Sequence, residues 1–341
     1  MTEIVFTCAA SGADYSSPVT WNTDLSCDLT ATTTKIYSHG GITGTLAAGD
    51  SLEVNGDAAS TATIAGITAT QVLLKDIVGT IENADTLQEV GATGNNITLS
   101  SVASTENVPV LEFANELFNF SWRMDNSGWT TDATNYPILR PQDGAAHDGT
   151  KGSGARIITS PGAGTQVLRL AQHMKVLNLE IDCTQSSGGT AAIQTNNNAT
   201  VKGCILKTAS SSRGALYLGS DATITDNLFI DSANHAIQFN GNFIQDSLVA
   251  GNTFINNGGR CIEGFGGGNN DIIVIGNVAH GNGSDFWDGI GIVDASCGHN
   301  VTDSADYTDM PGGDNGTNVI GLSATASDEF ENPAAGNYAP K

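Results

Sequence analysis

The chain has 341 residues, enough for two or three domains and a substantial core. Its 41 glycines, 6% aromatics and 14% charged residues suit a turn-rich β protein and exclude a mainly helical one. A formal net charge of −23 makes nucleic acid and anionic membrane poor partners, and no apolar run is long enough to span a bilayer.

Residues 1–39 are expected to form an N-terminal β segment of short strands. The opening stretch MTEIVFTCAASGADYSS lacks the basic segment and the apolar length of a signal peptide. Residues 40–107 read as an inserted small β domain with its own repeat. GTLAAGDSLEV from Gly44 is echoed by GTIENADTLQEV from Gly79, so that Asp50 and Asp85 lie 35 residues apart. Each aspartate is expected in a turn between two short alternating runs, as in a β-hairpin. Residues 108–166 lead back towards the C-terminal half. There Phe118, Phe120, Trp122 and Met124 alternate with polar residues, predicting one strand that caps the open N-terminal end of the repeats beyond residue 166. Residues 137–166, rich in Pro and Gly, read as a loop or partial first coil.

Between residues 167 and 302 one apolar pattern returns. VLNLEIDC from Val176, VKGCILKT from Val201, ITDNLFID from Ile224, VAGNTFIN from Val249 and VIGNVAHG from Val274 start 25, 23, 25 and 25 residues apart. The sixth position is apolar throughout (Ile181, Leu206, Phe229, Phe254, Ala279), and a second register runs through Ala191, Ala215, Ala236 and Cys261. Such a period means repeats that cannot bury an apolar face alone and must stack. The short β-branched runs, broken by Gly, Asn, Asp and Ser, predict an all-β, right-handed parallel β-helix. Six coils at about 4.8 Å each give a rod of roughly 29 Å. The fourth position becomes Asn227, Asn252 and Asn277, continued by Asn300. Asparagine tolerates left-handed backbone at a bend, and stacked amides can bond one another. Residues 303–341 form a C-terminal cap or tail in which the periodicity fades.

The six cysteines, Cys8, Cys27, Cys183, Cys204, Cys261 and Cys297, include no C-x-x-C pair. They are expected as buried, reduced fillers, with Cys204 in the asparagine column. Cys8 and Cys27 are the one pair considered for a disulfide.

The segment GADYSSPVTWNTDLSCDLTATTTKIY, the stretch GWTTDATNY at Gly128–Tyr136, HDGT at His147–Thr150, GARI at Gly154–Ile157 and the ending DEFENPAAGNY at Asp328–Tyr338 resemble a group of pectate-lyase-like parallel β-helix proteins from phages and environmental bacteria. The insert is similar to small β modules strung along phage fibres and other virion proteins. The resemblance implies a structural or adhesion protein of a virion: a fibre, spike or head-decoration subunit. It would sit on the virion surface or outside the cell, released by a route such as phage lysis. The implied partners are other virion proteins, further copies of the chain in a homo-oligomer such as a trimer, and a cell-surface glycan; no cofactor is implied.

The fold is shared with pectin and alginate lyases, polygalacturonases and tailspike depolymerases, so it does not decide the chemistry. Arg213, His235, Arg260 and Asp288 are expected as a column on successive coils, a ligand-binding patch with Trp287 as a sugar platform, or a ladder of surface charge with Arg260 paired to Asp288. Glu263, Asp285 and Asp288 are the carboxylates that a depolymerase would use, because glycoside hydrolysis needs two. Gly298-His299-Asn300 departs from the Gly-His-Gly of polygalacturonases. Acidic turns at Asp221, Asp226 and Asp231 make Ca²⁺ a candidate ligand, without an EF-hand pattern.

Overall fold

In a computed structural model, residues 3–101, 103–119, 124–158, 166–183, 191–239, 246–264, 272–284, 286–288, 297–303, 317–318, 330–332 and 337–340 are described. The chain divides into two compact units, residues 1–112 with 126–139, and residues 113–125 with 140–341.

In the first unit the strand Glu3–Cys8 is followed by a helix, α1, at Pro18–Leu25, where the sequence pattern predicts only short strands. Ser17 caps the helix, its Oγ accepting the Val19 N–H at 3.2 Å, and Pro18 opens it, where its missing N–H costs nothing. Trp21 is fully buried, with its ring centroid 5.6 Å from that of Trp129. Trp129 Nε1 donates to Asn22 Oδ1 at 2.7 Å. The DYSS…W and GWTT motifs, separated by the insert, are thus two halves of one packed contact.

The insert is a closed barrel of six antiparallel strands, Lys35–Thr43, Ser51–Val54, Asp57–Ile67, Gln71–Val78, Thr86–Glu89 and Ala92–Leu99. Its first strand starts before the expected boundary at residue 40. The 35-residue echo is structural: Ala47 N–H donates to Asp50 Oδ2 and Glu82 N–H to Asp85 Oδ2, both at 2.7 Å. The turns are not hairpins, however. Lys35–Thr43 pairs with Gln71–Val78 and Ala92–Leu99, whereas Ser51–Val54 pairs with Asp57–Ile67 and Thr86–Glu89. Each aspartate turn therefore joins two strands that do not pair with each other. Interior positions Leu52, Ile64, Val72, Leu74, Leu87 and Ile97 are all completely buried.

The second unit is a parallel β-solenoid with three sheets. The first stacks Lys175–Leu177, Thr200–Lys202, Thr223–Thr225, Leu248–Ala250 and Ile273–Ile275. The second runs from Met124–Asp125 through Leu168–Arg169, Ile193–Gln194, Leu216–Leu218, Ile237–Phe239 and Ile262–Glu263 to Trp287–Asp288. The third runs from Leu117–Asn119 through Arg156–Ile158, Glu180–Cys183, Ile205–Thr208, Leu228–Ile230, Thr253–Ile255 and Val278–His280 to Val301–Thr302. The expected single strand at 118–124 is therefore two strands in different sheets, a side each of an early coil. Phe120 and Trp122 lie outside the described residues.

Inward positions stack like on like. Val176, Val201, Ile224, Val249 and Val274 form one column, and Ile181, Leu206, Phe229 and Phe254 another, all completely buried. Phe229 and Phe254 lie stacked at 5.1 Å, an arrangement worth about 0.5–1.5 kcal/mol beyond area burial.

The asparagine column stands as expected. Asn227, Asn252 and Asn277 each direct their backbone N–H and Nδ2 to the Oδ1 of the next asparagine, at 2.9–3.1 Å, and the chain of bonds passes to Asn300. It then reaches Asn318 after only 18 residues, a shorter last step. Cys204 sits at the near end, its N–H on Asn227 Oδ1 at 2.9 Å. The left-handed geometry belongs to the residue before: Asn178, Gly203, Asp226, Gly251, Gly276 and His299 have φ from 53° to 66°. The ladder asparagines serve as inward amides, and their predecessors make the bend. A second corner repeats the device with Ser232, Asn257 and Asn282, preceded by Asp231, Asn256 and Gly281 at positive φ.

Candidate functional site

Strand parity decides which side chains each sheet offers to solvent. In the second sheet Leu168, Ile193, Leu216, Ile237 and Ile262 point inward and are completely buried. Their neighbours Arg169, Gln194, Tyr217, Gln238 and Glu263 then form one outward row, begun by Asp125, with Gln238 itself buried at 6% exposed; the backbone register carries the row on to position 288. Arg169 and Asp125 are 3.7 Å apart at one end of the row. Arg213 lays its guanidinium 4.3 Å from the centroid of the Tyr217 ring. Arg260 Nη1 donates to Glu263 Oε2 at 2.7 Å, and His235 Nδ1 accepts the Arg260 N–H at 3.1 Å while lying 3.8 Å from the same carboxylate.

This geometry rearranges the expected column. Arg213, His235 and Arg260 do stand at the entry to successive strands of the second sheet. Asp288 does not continue them, because its register partner is Glu263. The guanidinium of Arg260 bonds Glu263, and the expected pairing of Arg260 with Asp288 falls on a side chain outside those described. Trp287 is not an outward platform. It takes the register of Ile262, in the inward column, and packs edge-on against Phe239 at 5.7 Å. Of the three carboxylates named for hydrolysis, Glu263 and Asp288 are brought onto neighbouring strands; Asp285 lies outside the described residues, as does the side chain of Asp288.

The acidic turns have a backbone explanation. Asp221, Asp226 and Asp231 all adopt positive φ, 56°, 58° and 50°. Asp226 pairs with Lys202 at 3.5 Å and Asp231 with Lys151 at 3.2 Å. Among the described residues no three His, Cys, Asp or Glu side chains converge as a cation site.

A second cluster, on the outward side of the third sheet, is absent from the sequence-based candidates. Glu180 and Asp182 project from one strand and are only 3% and 7% exposed. The segment 142–154 crosses this face as a strap. His147 Nε2 bonds the Gly203 carbonyl at 2.6 Å, Gly152 N–H donates to Glu180 Oε2 at 2.6 Å, and Lys151 reaches Asp231. Lys207 stands beside Asp182 in register and within hydrogen-bonding reach of Lys151. Burial raises both carboxyl groups above their usual range, outweighing their basic neighbours. Burial and then Lys151 pull Lys207 down. Lys151 goes up, because its bonds to Lys207 and Asp231 outweigh its own burial. Burial lowers His147. The available signal was Glu180-Ile-Asp182, two carboxylates on one strand face, with Lys207 one coil on; what hid it was the strap, which comes from about 30 residues upstream.

All six cysteines are free, and burial pushes the thiols of Cys27, Cys183 and Cys204 up to about 12. The Cys8–Cys27 pairing does not form.

No curated protein matches the chain. Among solved structures it is similar to the Gp54 tailspike of Acinetobacter baumannii bacteriophage AP22, solved in complex with A. baumannii capsular saccharide, at 8% identity and a TM-score of 0.18. That match covers 79% of this chain and 53% of the tailspike, so the chain spans about half of that protein's length. At that similarity it says nothing of ligand or activity. Residues 151–308 match the family model described as "Right handed beta helix region", which gives the solenoid its hand.

Proposed function

We propose that the chain is a structural or adhesion component of a virion, a spike, fibre or decoration subunit, whose β-helix presents its second sheet to a glycan on the host surface. One observation supports the glycan contact: the outward row Arg169, Gln194, Tyr217, Gln238, Glu263, flanked by Arg213, His235 and Arg260. Hydrogen-bonding and aromatic groups recur there along the coils, about 4.8 Å apart and interrupted only where Gln238 is covered, which suits an extended polymer better than a small molecule. The outward side of the third sheet is more apolar, with Ile205, Leu228, Ile230 and Ile255 clustered and buried there. Residence in a virion and association into a trimer rest on the sequence resemblance, and mass spectrometry of purified particles tests them.

A second reading, cleavage of the bound polymer, is favoured by the register of Glu263 with Asp288, which roots two carboxylates one strand spacing apart on one face. Against it, Glu263 is already engaged by Arg260. A panel of acidic and neutral polysaccharides separates the two. Binding without new reducing ends or unsaturated uronate, weakened by Tyr217→Ala or Arg213→Ala, supports adhesion. Product release abolished by Glu263→Gln or Asp288→Asn supports the enzyme. Retention of none of the glycans would remove the glycan contact.

A further inference from the structure

The buried cluster under the strap has a property that ordinary ion pairing does not explain. Asp182 Oδ1 is buried without a hydrogen-bond partner, although two lysines are rooted nearby. Lys207 is the direct register partner of Asp182, so both side chains leave the same face of neighbouring strands about 4.8 Å apart. The amine of Lys207 is directed to Lys151, and Lys151 in turn is tied to Asp231 at 3.2 Å. Glu180 lies two residues from Asp182 on the same face, held in place by the Gly152 N–H at 2.6 Å. An orphaned carboxyl oxygen and a fixed second carboxyl, both on buried residues, thus lie beside a half-buried lysine on the adjoining strand.

We propose that Lys207 and Asp182 are poised to join in an amide bond that ties one coil covalently to the next, with Glu180 shuttling the proton. The geometry is seconded by the surroundings of both groups. Burial raises the pKa of the Asp182 carboxyl, and burial with the neighbouring Lys151 lowers that of the Lys207 amine, each in the direction of the neutral form that reacts. Lys207 Nζ attacks Asp182 Cγ and the C–N bond forms. One amine proton passes to the Glu180 carboxyl group, which hands a proton on to the departing hydroxyl and so ends as it began. The C–O bond breaks and one water leaves, with no oxidant or cofactor required. Holding both groups on paired strands replaces an encounter in solution with a unimolecular step, the source of the rate. Such a tie would resist separation of the coils at the strapped end, where a spike under axial load would begin to unzip.

The test is the intact mass of the denatured full-length protein, followed by fragmentation of its tryptic peptides. The proposal expects a mass one water below that of the sequence, with the loss located on a branched species joining the peptide that contains Asp182 to the one that contains Lys207. Lys207→Arg and Glu180→Gln should both return the full mass. Lys207→Arg keeps the charge, and Glu180→Gln keeps the shape and the Gly152 contact, so folding is checked by circular dichroism alongside. Wild-type protein at full mass overturns the proposal, as does a water loss that persists in Lys207→Arg or maps elsewhere.

Discussion

Replacing Asn252 with alanine removes the middle of the amide ladder. Its Oδ1 accepts both the backbone N–H and the Nδ2 of Asn227 at 3.0 Å, and its Nδ2 donates to Ile224 O at 2.9 Å and Asn277 Oδ1 at 3.0 Å. Four hydrogen bonds disappear in a site that is completely buried. Asn227 Nδ2 keeps Val201 O, and Asn277 Oδ1 keeps the Asn252 backbone N–H. The Asn227 backbone N–H is left with nothing. One orphaned buried group costs about 1–3 kcal/mol and the three remaining losses about 1 kcal/mol each, so the change should cost about 4–6 kcal/mol. That is a large share of the ~5–15 kcal/mol by which a typical domain is stable. Urea unfolding followed by far-ultraviolet circular dichroism should show a lower midpoint at unchanged slope. Thr225→Ala, on the outward face one turn away, should stay within about 0.5 kcal/mol of wild type. Asn252→Asp keeps the Oδ1 but turns a donor into an acceptor facing two oxygens. It should cost at least as much near neutrality and recover stability as pH falls and the carboxyl gains a proton. A cost for Asn252→Ala below about 1 kcal/mol would refute the idea that the ladder holds the coils.

Gly154 has φ of 71°, and a β-carbon there would lie 2.4 Å from the His147 backbone nitrogen. Gly154→Ala should therefore release the strap, read as faster amide hydrogen exchange over residues 145–154, while the asparagine corner stays protected. Burial holds the pKa of His147 below its ordinary 6.5, so the unfolded or strap-open state takes up more protons as pH falls below that value. The stability His147 contributes is complete above 6.5 and is lost as pH falls towards its lowered value. Strap exchange should accelerate in that window, and His147→Gln, which can still donate to Gly203 O, should flatten the dependence. The thiols of Cys183 and Cys204, pushed up to about 12, should resist an aromatic disulfide reagent at pH 8 until the protein is unfolded; labelling of native protein at the rate of a free thiol would contradict their burial.

The solenoid was legible because its signal is repeated: each apolar column is sampled once per coil, and every asparagine confirms the others. Its second ladder, Ser232, Asn257 and Asn282, was harder to see because one rung is a serine and only two rungs are amides. Helix α1 was hidden in a short run of Thr, Asn and Trp, residues with no strong helical preference, and it stands because Ser17 and Pro18 open it and Trp21 is buried. Sequence proximity of Trp287 to Asp288 suggests a shared site, whereas register places Trp287 in the inward column of Ile262. Of the charged cluster under the strap, only Glu180, Asp182 and Lys207 left a trace in the local pattern, since Lys151 and Asp231 meet across 80 residues. The insert's repeat gave the barrel's internal symmetry, but not its strand order, because an aspartate turn looks the same whether or not the flanking strands pair.

The stack of rungs carrying the outward polar row is tested most directly by a distance. Spin labels placed at positions 169 and 263 stand four rungs apart in the same row, through Gln194, Tyr217 and Gln238. Pulsed electron resonance on the doubly labelled protein should give a narrow distribution centred at roughly 19 Å, four strand spacings. A distribution centred beyond roughly 30 Å, or one too broad to define a centre, would mean that these residues do not line up along one face, and the glycan-contact reading would fall with the row.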